Sequence, residues 1–213
     1  ELARRRIYHA FNPQGVGIIA ASLLSFGTDD QKRRWAVPIL RAEIEGLAAD
    51  GATAYQAHDS LIVTIGDNSR FDQIRLIEDG REAFNISSAV ITLGAHAHFN
   101  TFGMTSGAAV SRYQATIAFA GEGSRVETNG VNLLNGRQHA DTTLFMDHAV
   151  PNCASREVFR AVADDRGHSV FQGRIIVRPH AQKTDAKMMT RALLLSDEAE
   201  ADNKPELEIF ADD

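Results

Sequence analysis

The chain has 213 residues, 44% of them apolar and 23% charged. That is the balance of an ordinary globular protein with room for one core and a small extra lobe. No apolar run approaches the ~20 residues that span a bilayer, and a net charge of -6 opposes a sequence-independent grip on nucleic acid, which needs a basic surface. The single cysteine, Cys153, excludes an internal disulfide framework and predicts a reducing, cytoplasmic setting.

In chain order, residues 1–46 read as helical. Val16, Ile18, Ile19, Leu23, Leu24 and Phe26 recur at roughly helical spacing, and Gly27 supplies a stop. Thr28-Asp29-Asp30-Gln31 has the spacing of a capping box, opening a second helix that Pro38 would kink or shorten. The basic runs Arg4-Arg5-Arg6 and Lys32-Arg33-Arg34 fit solvated helix faces better than phosphate sites. Residues 47–60 are small and polar and read as a linker or seam.

From Leu61 onward the hydrophobic period becomes two. Strand-like runs follow one another: LIVTIG, FDQIRLIE, NISSAVITLG, YQATIAFAG, RVETNGVNLLNG, TLFMDH, VFQGRIIVRP, RALLLS and ELEIF. They are rich in the Thr, Val and Ile that suit a half-buried pleated surface. Gly94, Gly107, Gly121 and Gly136 punctuate them about every fourteen residues. Two architectures produce this rhythm. One is a sandwich or barrel of antiparallel hairpins, with Asn129-Gly130 and Asn135-Gly136 as tight turns. The other is a β-helix whose coils bury their faces only by stacking. Spacing alone does not choose between them.

The richest polar constellation runs from Gly136 to Arg156 and gathers His139, Asp141, Asp147, His148 and Cys153. Imidazole, carboxylate and thiolate are metal ligands, so His139, Asp141, His148 and Cys153 are the candidate metal residues. Tight ligand spacings such as CxxC or HExxH do not occur. Strand parity would align His139, Asp141 and Asp147 on one face and turn His148 away. Polar groups on strand exteriors and turns are the plainer expectation. Cys153 lacks a local His base and reads as a small buried hydrophobe. His96 and His98 read as exposed edge histidines, and Pro179-His180 as a turn. The chain has no GxxxxGK[ST] loop, no strand-to-helix GxGxxG and no GxSxG elbow, so neither a nucleotide site nor a serine hydrolase is expected.

The second half carries a resemblance. The residues that bear it are Asp141, His148, Ser155-Arg156, Phe171 to Ile175, Ala181 to Ala186, Leu193 to Ser196, Lys204 to Ile209 and Asp212-Asp213. This stretch resembles the core of the SufB/SufD family of iron–sulfur cluster assembly proteins. Asn152 and Cys153 are closer to its SufD branch, and the likeness extends back to about Leu61. The resemblance implies a mainly β fold, a right-handed parallel β-helix over residues 61–213, with the Asn-Gly pairs as corners between coils. It implies a scaffold subunit rather than an enzyme, with no catalytic residue or resident cofactor of its own. Partners would be SufB and the ATPase SufC, and the cluster would be handled transiently by their complex. Family members continue past the Asp-Asp pair into a Cys-Ser-His-Gly-Ala-Thr-like stretch and a helical segment that docks SufC. Because this chain ends at Asp213, self-association through an exposed terminal coil is a further expectation.

Residues 1–46 resemble something else: within Asn12 to Glu43, the residues Gly27 to Lys32, Pro38 and Glu43 are similar to the N-terminal helical region of acyl-CoA dehydrogenases. A chimeric chain is the expectation that follows. The rival functions are a fragment of that flavoenzyme and a metal-dependent enzyme built on His139, Asp141 and His148.

Overall fold

A computed structural model describes residues 56–212. The helical segment expected over residues 1–46, and most of the linker, lie outside the described residues. Within them the chain forms eleven strands and no helix. These are β1 Gln56–Ile65, β2 Arg70–Ile77, β3 Phe84–Leu93, β4 His98–Thr105, β5 Val110–Phe119, β6 Arg125–Leu134, β7 His139–His148, β8 Ala154–Ala163, β9 His168–Val177, β10 Asp185–Leu194 and β11 Glu200–Ile209.

The odd strands form one sheet in the order β1-β3-β5-β7-β9-β11, and the even strands form a second, β10-β8-β6-β4-β2. Every pairing is parallel and in continuous register. This decides between the two architectures left open by the spacing. Hairpins would pair neighbours antiparallel, whereas here each strand pairs with the one two places on. The chain therefore winds as a parallel β-helix of about five coils, two strands to a coil. One coil consumes about 28 residues, as in the partnering of Gln56 with Phe84.

Gly94, Gly107, Gly121 and Gly136 all fall just beyond strand ends, so their spacing marks half-coils. Gly121 shows why a side chain is not tolerated there: a Cβ would overlap the backbone of Gly94 and Ala95 in the coil below. Asn135-Gly136 is a corner, with Gly136 at a positive φ of 62°. Asn129-Gly130, expected as a turn on either architecture, instead lies inside β6. There a Cβ on Gly130 would run into the ring of Phe159. Packing, not turn chemistry, selects that glycine. The first strand begins at Gln56, ahead of the expected Leu61. Sequence periodicity also misses β4 and β8, whose inward positions include Thr101, Gly103, Ser155 and Glu157 and so lack an apolar alternation.

Strand pleating sends alternate residues inward, and parallel stacking makes each inward position a column. Ile91, Ile117, Met146 and Ile175 partner one another in successive odd strands and are all buried. Beside them run Leu93, Phe119, His148 and Val177. These two columns form the spine of the main core.

Candidate functional site

The strand β7 sorts the expected ligands by parity. His139, Asp141 and Asp147 lie on its outer face, while His148 points into the coil and is fully buried. His148 therefore cannot join His139 and Asp141 around one ion, and the metal-enzyme alternative has no convergent ligand set. Among the described residues no group of three His, Cys, Asp or Glu side chains is placed to hold a metal ion. The expectation that the polar groups sit outside or in turns holds for Pro179-His180, a turn, but not for His148.

On the outer face the charges are paired across coils. Asp141 accepts from Arg112 at 2.9 Å, and Asp147 accepts from Arg178 at 2.9 Å. His139 meets the edge of the His168 ring, centroids 4.8 Å apart, and burial followed by the neighbouring His168 pushes its pKa down. His168 in turn lies 2.8 Å from Asp202 and 3.9 Å from Glu200. The coil register creates this pair, since His139 partners His168, and the interval between them in sequence gives no hint of it.

Inside the coil the picture is different. His148 stacks on Phe119 with centroids 4.4 Å apart, and its Nε2 lies 3.0 Å from the Ser155 hydroxyl. Its Nδ1 has no partner among the described residues, and burial lowers its pKa to about 4. Glu157, two residues beyond Ser155 on β8, is 1% exposed with neither carboxylate oxygen hydrogen-bonded. Burial raises its pKa to about 7, because a lone carboxylate is costly in an apolar setting. Its column neighbour Thr128 is also buried, with its hydroxyl unpartnered. Glu157 was not legible as a site residue because β8 itself was not, and Thr128, on the legible β6, gave no sign that its hydroxyl would face inward beside Glu157.

Cys153 sits at the corner between β7 and β8. It is buried, and its thiol donates to the carbonyl oxygens of Pro151 at 3.4 Å and Gly121 at 3.6 Å. Burial raises its pKa, the opposite of what a nucleophile or thiolate ligand needs. The reading of Cys153 as a small core residue accords with this geometry. His96 occupies a corner at a φ of 52°, and His98 opens β4 with its Nε2 buried and unpartnered.

Set beside known proteins, residues 42–213 match the model of a family described as SUF system FeS cluster assembly, SufBD core domain. The chain is 30% identical over 152 residues to an iron–sulfur cluster assembly SufBD family protein of Synechocystis, covering 70% of this chain and 33% of that protein. It is 30% identical over 151 residues to the iron–sulfur cluster assembly protein SufD of Escherichia coli, covering 71% and 36%. A chloroplastic Arabidopsis thaliana protein, ABCI7, is 26% identical over 172 residues, covering 79% and 36%. The chain thus spans about a third of the length of these relatives. The flavoenzyme likeness of residues 1–46, and the chimera it suggested, lie outside the described residues and gain no support from these comparisons. The matched region takes in every described strand, and on that ground the chain belongs to the SufBD family, with SufD among its relatives.

Proposed function

We propose that this chain is the scaffold segment of a SufD-like subunit in iron–sulfur cluster assembly, working in the cytoplasm beside SufB and the ATPase SufC. The observation that carries this reading is the coincidence of the family match over residues 42–213 with one uninterrupted parallel stack of strands. A parallel stack is stiff, because each coil is bonded along its length to the next. Ion pairs that cross from coil to coil add to this, among them Arg112–Asp141, Arg178–Asp147 and Arg174–Glu208. The role of the chain is to hold surfaces at fixed positions while its partners supply ATP hydrolysis and cluster chemistry.

The last two strands also expose Leu193, Leu194, Leu207 and Ile209, and Phe210 follows just beyond β11. Clusters of exposed apolar side chains are typical of a surface covered by another protein. Co-expression of the tagged chain with SufB and SufC from the same source tests the reading. Retention of SufB on the tag through a salt wash is the expected result. Loss of both partners, under conditions where a full-length SufD keeps them, would overturn it. Self-association, the other expected partnering, would show as a sedimentation coefficient that rises with concentration.

A further inference from the structure

One inward column of the even sheet runs Arg75, Gly103, Gly130, Phe159. The two glycines sit between two large side chains that lie over them. The Arg75 guanidinium lies across Gly103, 3.6 Å from where a Cβ would stand, and the Phe159 ring lies across Gly130. Between arginine and ring remains an interior cavity of about 20 Å³, floored by the glycines and lined by Thr101 and Thr128 among others.

The polar groups around this cavity are not satisfied by one another. Thr128 is 1% exposed and its hydroxyl has no partner among the described residues. Arg75 has five N–H donors. It spends one on a long 3.4 Å bond to the Ser87 hydroxyl and sets its guanidinium over the Tyr113 ring at 3.8 Å. It belongs to none of the ion pairs found among the described residues. Asp59 acts on it only at longer range. A desolvated cation with no carboxylate in contact is costly.

We propose that this cavity is a binding site for one monatomic anion, chloride, held between the Arg75 guanidinium and the Thr128 hydroxyl. The size decides the class. A space of this volume admits one centre of about water size, so sulfate and phosphate are too large. Charge favours an anion over water alone, because water would bridge the two groups but bring no negative charge into contact with a guanidinium that has no ion-pair partner among the described residues.

Two measurements on the 213-residue chain test the site. Crystals soaked in bromide should show an anomalous peak inside the cavity, within hydrogen-bond reach of Arg75 and Thr128. In solution, the melting temperature at fixed ionic strength should rise as chloride replaces gluconate, which cannot enter. Thr128→Val keeps the shape and removes the hydroxyl, and should weaken the apparent chloride Kd about tenfold or more. Arg75→Gln should abolish the response. Should Arg75→Gln fail to fold, Thr128→Val and the bromide experiment still decide. An empty or water-filled cavity would overturn the proposal. So would a chloride response unchanged in the folded variants, or a bromide peak with no response in solution, which would mean binding at crystal concentration only.

Discussion

Side-chain columns of two opposite kinds fill the interior of the coil. The odd strands bring in Ile91, Ile117, Met146 and Ile175, buried and apolar from coil to coil. The even strands bring in two neighbouring columns of another kind: Gln73, Thr101, Thr128 and Glu157 in one, and Arg75, Gly103, Gly130 and Phe159 in the other. The apolar columns gain free energy by leaving water, roughly in proportion to the area removed. These columns gain little from burial, and among the described residues Thr128 and Glu157 lack the partners that would offset desolvation. Stability therefore belongs to the apolar columns, among which Phe99 and Val126 of the even sheet also count, and any selective interaction inside the coil belongs to the polar ones. His148 joins the two kinds, since it sits within an apolar column, between Phe119 and Val177, yet reaches across to Ser155.

The sharpest way to break this contrast is to empty an apolar column. Phe119 is fully buried between Leu93 and His148, and Phe119→Ala should destabilise the chain by about 3–5 kcal/mol in urea unfolding. A loss below about 1 kcal/mol would deny the odd columns their dominance.

Next in size is the pH dependence of the polar column. The folded pKa of Glu157 stands at about 7, above its ordinary 4.5. The folded state therefore holds that proton more tightly. Stability from this group is fully present below pH ~4.5 and falls as pH rises through ~7, by about 3 kcal/mol in total. His148 has the opposite sign: its folded pKa is about 4 against an ordinary 6.5. Its contribution is fully present above pH ~6.5 and is lost as pH falls toward ~4, by a similar amount. The two slopes oppose one another between pH ~4.5 and ~6.5. Glu157→Gln should therefore stabilise the chain at pH 8, do little at pH 4, and unmask a stability that climbs with pH through the histidine window. Urea melts of both chains across pH 4–8 would show it, and parallel curves would refute the assignment.

A smaller effect is expected at the corners. Gly121→Ala places a methyl group against the backbone of Gly94 and Ala95, and overpacking of this kind costs about 1–3 kcal/mol. Hydrogen exchange should show the loss concentrated around residues 94–97 and 120–123 rather than spread along the stack. The smallest effect belongs to the outer face. Asp141→Asn removes the partner of Arg112 and should cost less than about 1 kcal/mol, diminishing with added salt. A larger cost would mean that the outer charges take a greater part in holding the coils than their exposure allows.

The legible and illegible strands divide by what they carry inward. The runs at residues 85–94 and 113–121 announce strands because their inward residues are apolar and their outward ones mixed. Strands β4 and β8 do not, because their inward residues include Thr101, Gly103, Ser155 and Glu157. The site follows suit. The outward placing of His139, Asp141 and Asp147, with His148 reversed, follows from strand parity alone. The isolation of Glu157 and the cavity beside Arg75 do not, because each depends on which residue stands about 28 positions away.

By itself the amino-acid sequence determined the period-two strands, the glycine corners and the opposed faces of β7. These are local matters, settled by pleating and backbone sterics within one coil. Only the tertiary structure decided that neighbours pair in parallel and that Asn129-Gly130 lies in a strand beneath Phe159. It also decided that a cation, a hydroxyl and a carboxylate share the interior. Side-chain columns exist only once coils are stacked, and stacking joins residues that sequence order keeps far apart.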